Sequence, residues 1–163
     1  MNIEEYEDHD LQNEILPNWE NEVGKVTVDL SLSSVEDDAL AKSGHLQAAQ
    51  VRRQKVSAIV DTGATLLVLP EHVIQQLGLP VVRKVTSRFA DGRRMERNVY
   101  GPVRLEVQGR VVNVDALGGP PGVPALLGQI PLEGLDFMVD SRGQRLVPNP
   151  ESPDPDLALV DVF

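Results

Sequence analysis

A chain of 163 residues with 41% apolar and 25% charged residues has the make-up of one ordinary globular domain. It contains no cysteine, which removes disulfide frameworks and thiolate chemistry, and its three histidines, His9, His45 and His72, are too scattered to make a metal-ligand pattern. The net charge of −10 sits at the ends: residues 1–22 hold eight acidic groups and residues 151–163 four, with no basic group in either, while residues 23–150 hold all 15 basic groups against 13 acidic ones. Such ends read as solvated tails rather than partner sites.

The few aromatic residues do not interleave with arginines, so stacking platforms for nucleic acid are not expected. No apolar run approaches the length that crosses a bilayer, and Met1-Asn2-Ile3-Glu4-Glu5 lacks the basic start and apolar centre of a signal peptide. No membrane partner is expected, and a cytoplasmic location is.

Leu11, Ile15 and Trp19 fall at four-residue spacing, one face of a short helix stopped by Pro17. From Gly24 polar and apolar residues alternate, which predicts a half-buried strand over 24–32. Ser34 and Asp37 have the spacing of a helix N-cap, with Ala39, Leu40 and Ala41 continuing to Gly44 as a short helix or helical loop. Strands are predicted over 51–60 and 66–69, then a helix over 71–77 between Pro70 and the stop at Gly78.

Val81 to Ala90 and Met95 to Val107 read as a long hairpin joined through Asp91-Gly92, a dipeptide favoured in tight turns. After Gly109 a strand is predicted over 111–117, followed by a Gly and Pro loop over 118–124. Ala125-Leu126-Leu127-Gly128 is a brief apolar strand, and Pro131 to Leu135 make one helical turn. A last hairpin turns around Arg142-Gly143, and the prolines from Pro148 to Pro155 predict an extended arm over 148–156. Short strands, few helices and frequent Gly turns together predict a mostly β, barrel-like domain.

The segment with most chemical interest is Asp61-Thr62-Gly63-Ala64-Thr65, a Gly-containing turn between two apolar runs. A carboxylate there is costly to desolvate unless hydrogen-bonded or functional. The plain reading is an Asx turn, which surface loops use constantly. Three features in order point further: this triplet between apolar strands, the long hairpin about thirty residues on, and Leu126-Leu127-Gly128 followed by a helical turn.

In content and order these features resemble the retropepsin-like aspartic proteases of the bacterial and archaeal type. The resemblance spans roughly 24–148. It implies a closed β-barrel-type acid protease fold with one or two short helices and one lobe per chain. It divides the sequence into an acidic N-terminal segment, 1–22, a protease domain, 23–148, and a Pro-rich acidic arm, 149–163.

The resemblance further implies that Asp61 is the catalytic carboxylate, with Thr62 bonding across a dimer axis and Gly63, Ala64 and Thr65 completing the loop. Ala90, Asp91, Gly92 and Arg93 become the tip of a flap that closes over substrate, and Leu126, Leu127 and Gly128 become the strand supporting the loop. Many relatives continue that strand with Arg-Asp or Arg-Asn; here Gln129-Ile130-Pro131 follows.

Hydrolysis of a peptide without metal or nucleophile needs one group to take a proton from water and another to give one. Two close carboxylates supply both, because like charges cannot easily both ionise. This chain has one Asp-Thr-Gly, and Asp91, Asp115, Asp136 and Asp140 lack its apolar flanks, so the second carboxylate is expected from a second copy. The expectation is a homodimeric aspartic endopeptidase acting on peptides or proteins without a cofactor. The residues alone leave open a dimer that binds or scaffolds without cleaving, and a small β-domain in which the triplet is only a turn. The apolar end Leu157 to Phe163 has three open roles: an edge strand, a partner site, or a pseudo-substrate in the cleft.

Overall fold

The structure is a computed structural model that describes residues 25–162. The acidic segment 1–22 and the helix expected around Leu11, Ile15 and Trp19 lie outside the described residues.

Alternation in β1 (Thr27–Ser34) buries Val28, Leu30 and Leu32 against the core. One edge of β1 pairs antiparallel with β2 (Arg53–Val60), and Ser31 to Ser34 pair on the other edge with β5 (Arg94–Val107). The second pairing closes a ring. With β3 (Leu67–Pro70), β6 (Arg110–Gly119) and β7 (Ala125–Leu127), its order is β1-β2-β7-β3-β6-β5 and back to β1. A closed six-stranded barrel leaves no free sheet edge within the ring. Its interior is filled by Leu30, Leu32, Leu67, Leu69, Leu105 and Leu127, all fully buried or nearly so.

Outside the ring, β4 (Val81–Arg88) pairs only with β5, and the two extend beyond the barrel as the long hairpin predicted around Asp91-Gly92. A separate two-stranded sheet joins β8 (Phe137–Asp140) to β9 (Arg145–Pro148). Among the described residues three short α-helices accompany the strands: α1 (Val35–Lys42), α2 (Glu71–Leu77) and α3 (Gln129–Leu135). That is one more than the one or two expected. The predicted loop over 118–124 is shorter than its composition suggested, because Gly118 and Gly119 complete β6 by pairing in parallel with Leu69 and Pro70. The helix α3 starts at Gln129, not Pro131, so Pro131 falls within its first turn, where a missing N–H costs little.

Ser34 caps α1 as its spacing predicted, accepting from the Asp37 backbone N–H at 3.1 Å. Asp37 is buried, and Arg52 grips it with Nε at 2.8 Å and Nη2 at 2.9 Å, while the Arg52 backbone N–H adds a bond of 3.0 Å. The same guanidinium lies over Gly78, the left-handed C-cap of α2, so it ties α1 to α2. Hydrogen bonds from the Arg52 side chain, then from its backbone, lower the Asp37 carboxyl from 3.8 to about 2, against opposing desolvation.

A carboxyl lowered by folding stabilises the fold above its unfolded value and loses that contribution as pH falls through its folded value. The Arg52 side chain is 47% exposed, and screening trims the gain to about 1–2 kcal/mol. Asp37→Asn is therefore expected to unfold at lower urea than wild type at pH 7. The gap should close between about pH 4 and 2. A gap that stays constant over that window would contradict the assignment.

Candidate active site

The apolar strand β2 ends at Val60, and the next backbone N–H, of Asp61, donates to Leu127 O at 3.0 Å. β7 lies parallel to β2, with Val60 beside Leu127, and antiparallel to β3, with Val68 beside Leu126. The two strands flanking the Asp61 turn are thus held apart by a third, which enters from sixty residues downstream. The turn spans that gap.

Its shape is fixed by backbone bonds. The Ala64 N–H donates to Asp61 O at 3.1 Å, and the Gly63 N–H donates to Asp61 Oδ1 at 2.9 Å, an Asx turn. From below, the Gln129 and Ile130 N–H groups at the start of α3 donate to Ala64 O at 2.8 Å and Thr65 O at 3.0 Å. These amides have no partner within their own helix, so the loop carbonyls satisfy them. Gly128 allows this approach: a Cβ there would lie 2.3 Å from Leu66 O and 2.6 Å from Ala64 O.

The structure therefore joins Asp61 to Thr65 with Leu126 to Gly128, as the sequence order implied. Gln129 and Ile130 serve the loop through backbone amides, which their side-chain identity does not disturb. Asp61 is partly exposed, and Thr62, Gly63 and Thr65 are exposed, so the desolvation anticipated from the apolar flanks is not reached within a single chain. Among the described residues Asp61 takes part in no ion pair. Beside the turn runs an open groove lined by Thr62, Gln129, Leu132, Glu133, Asp136, Phe137, Met138 and Val139. Met138 is 51% exposed, and Ile130, whose amide holds Thr65, is 47% exposed.

The hairpin tip is ordered by its own residues. Gly92 takes a left-handed φ of 84° and donates to Phe89 O at 3.0 Å, while Asp91 accepts from the Arg93 N–H at 3.0 Å and pairs with its guanidinium. Ala90 and Arg93 are exposed. No hydrogen bond or ion pair among the described residues joins Ala90–Arg93 to the 61–65 turn. At its root the hairpin is anchored by Arg97, which donates to Gly118 O and lies 4.0 Å from Glu71.

Two residues to which the sequence reading gave no role organise the floor. Arg110 is 5% exposed and has no carboxylate partner among the described residues; its Nη1 donates to Leu135 O and Asp136 O at 2.8 and 2.7 Å, and its Nη2 to Pro155 O and Leu157 O at 2.7 and 3.2 Å. Its guanidinium stands 4.9 Å from the centre of the Phe137 ring. Asp136, in a left-handed conformation at the end of α3, accepts from Asn149 Nδ2 at 3.1 Å and from the Leu159 N–H at 2.8 Å. The arm after Pro148 is thus folded back through turns and not simply extended as its prolines suggested. The apolar end adds no edge strand among the described residues, and no hydrogen bond there connects it to the Asp61 turn. The available signal was a lone arginine at the start of an otherwise alternating strand.

Among the described residues no helix is long and apolar enough to cross a membrane, and no three His, Asp or Glu side chains gather as a metal site.

Comparison with known proteins bears on this geometry. The family described as "gag-polyprotein putative aspartyl protease" matches residues 47–140, which include the Asp61 turn, the hairpin and Leu126 to Gly128. Among solved structures, the chain is similar to the solution structure of the simian foamy virus (mac) protease, with 20% identity and a TM-score of 0.41, over 65% of this chain and 90% of that one. None of the curated proteins compared with it matches. With the match extending over more than half of its length, the chain belongs to this retropepsin-like aspartyl protease family.

Proposed function

We propose that the protein is a homodimeric aspartic endopeptidase in which Asp61 of each of two copies meets at a two-fold axis and activates a water for attack on a peptide bond. The observation that carries this reading is the presentation of Asp61: a surface carboxylate fixed by its own backbone, by Gly63 and by β7, with no ion-pair partner among the described residues. One carboxylate can take the water's proton, and its counterpart then donates to the carbonyl oxygen or the leaving nitrogen. Thr62 bonds across the axis. The hairpin tip, Ala90 to Arg93, closes over an extended peptide and excludes water.

Exposed apolar side chains beside the turn support a second copy at this place. Met138, Val139 and Ile130 lie next to Thr62 or to the bonds that hold the loop, so apposing two copies would bury them together with the second carboxylate. In this reading 23–148 is the catalytic unit, flanked by the acidic segment 1–22 and the arm 149–163, and the protein works in the cytoplasm.

Mass measured across a dilution series, alongside cleavage of an unstructured protein, tests the proposal. Activity per chain should fall as dimers dissociate. Met138→Asp, which places a charge on the apposed face, should shift dissociation to at least about tenfold higher concentration. Cleavage by a chain that is monomeric at every concentration would sink the dyad, and a stable dimer that binds peptide but never cuts would favour a binding or scaffolding role.

A further inference from the structure

Between Arg83 and Arg97 the flap ribbon carries six basic residues and two acidic ones. Both acids are already engaged, Asp91 with Arg93 and Glu96 with Lys84 at 3.1 Å. Among the described residues Arg83, Arg88 and Arg94 take part in no ion pair. The register sets Arg88 directly opposite Arg94, at the last pair before the tip. Residues directly opposed in an antiparallel pair leave the same face, and like charges so placed repel. Both are exposed.

Side chains alternate between the faces of a ribbon, so Arg97, three residues from Arg94, lies on the other face with Val85 opposite it. That face is taken up against the barrel, where Arg97 reaches Gly118 O and Glu71. The face bearing Arg88 and Arg94 is left open. Two adjacent guanidinium groups present planar forks suited to carboxylates, and an oxyanion between them removes their mutual repulsion.

We infer that Arg88 and Arg94 are specificity-determining residues of the proposed peptidase, selecting extended peptides that carry Asp or Glu close to the cleaved bond. The inference rests on the peptidase reading, in which the hairpin closes over the substrate, and adds to it that the face bearing Arg88 and Arg94 is the one turned to the peptide. An extended peptide turns every second side chain to one side, so an acidic residue at an alternate position is brought to the pair. The chain's net charge of −10 does not oppose this, since at physiological salt exposed charges beyond about 8 Å are largely screened and the arginines set the local field.

The test is cleavage of matched peptides, identical except for Glu against Gln at alternate positions around the cut, followed from about 20 to 500 mM salt. Wild type should favour the Glu peptide by about tenfold in kcat/KM at low salt, with the ratio approaching one at high salt. In Arg88→Gln/Arg94→Gln the ratio should fall to about one even at low salt, and Arg88→Lys/Arg94→Lys should keep it above one. A wild-type ratio near one at every salt overturns the inference, as does a ratio unchanged in the Gln variant. If neither peptide is cut, the peptidase reading is at fault. Fluorescence anisotropy of the labelled peptides then decides the flap separately: salt-sensitive preference for Glu that the Gln variant loses upholds the anion site, and equal binding overturns it.

Discussion

Asp61→Asn is expected to abolish peptide cleavage, with kcat lowered by at least about 10³-fold, while leaving the fold and the dimer in place. Asparagine keeps the carbonyl that the Gly63 N–H bonds to, and the amide from Asp61 to Leu127 O is backbone and survives the change. What it removes is the capacity to accept a proton from water. Equal unfolding midpoints with a lost rate would therefore place the defect in chemistry. Residual cleavage within a factor of about ten of wild type would overturn the catalytic assignment of Asp61. Mixed dimers sharpen the comparison, because the proposed dyad requires both carboxylates: one Asn chain should silence its wild-type partner.

The second large effect is expected at Arg110. A buried guanidinium that donates to four backbone carbonyls ties them together, and Arg110→Met takes the Arg110 donor from Leu135 O and Pro155 O, while Asp136 O keeps the Asn149 N–H and Leu157 O keeps the Ser152 hydroxyl. The cost should be about 3–5 kcal/mol in urea unfolding. Truncation after Pro150 removes Pro155 and Leu157 from the same cluster and should cost about 2 kcal/mol, since water can then reach the freed donors. Because both changes break one network, their combination should cost clearly less than the sum. Strict additivity would show that the clamp does not couple arm and barrel. The truncated chain also addresses inhibition by the arm: cleavage per folded dimer should stay at the wild-type level, whereas a rise would assign the arm to the cleft.

Local chemistry was legible where it decides local shape. Ser34 and Asp37 announced the start of α1, Pro70 and Gly78 bracketed α2, and Asp91-Gly92 marked the hairpin tip, because caps and tight turns depend on one or two side chains. Leu126-Leu127-Gly128 was recognised through its resemblance, and the structure supplies the reason for its glycine: two carbonyls occupy the space a Cβ would need. Non-local roles were hidden. Arg110 went unremarked between Gly109 and the strand predicted over 111–117, because its partners lie 25 to 47 positions later. Asp136 was one more unflanked aspartate until α3 ended on it in a left-handed conformation and the arm returned to its carboxylate. The Gly and Pro composition of 118–124 concealed the end of β6, because its pairing depends on Leu69 and Pro70, fifty positions earlier.

The insertion of β7 between β2 and β3 also sets a time order on the molecule. Three residues, Ala125 to Leu127, must arrive between partners near positions 59 and 68 before the Asp61 turn acquires its supporting bonds. Contacts of such sequence separation form late, and a chain emerging in N-to-C order has Asp61-Thr62-Gly63 long before it has the strand that shapes that turn. Under the proposed function, a nascent or prematurely terminated chain lacking Ala125 to Gly128 carries Asp61 but no organised site. Cutting power is then confined to chains whose synthesis has passed that strand, which protects a ribosome-bound protease from acting on itself or its neighbours while still unfolded.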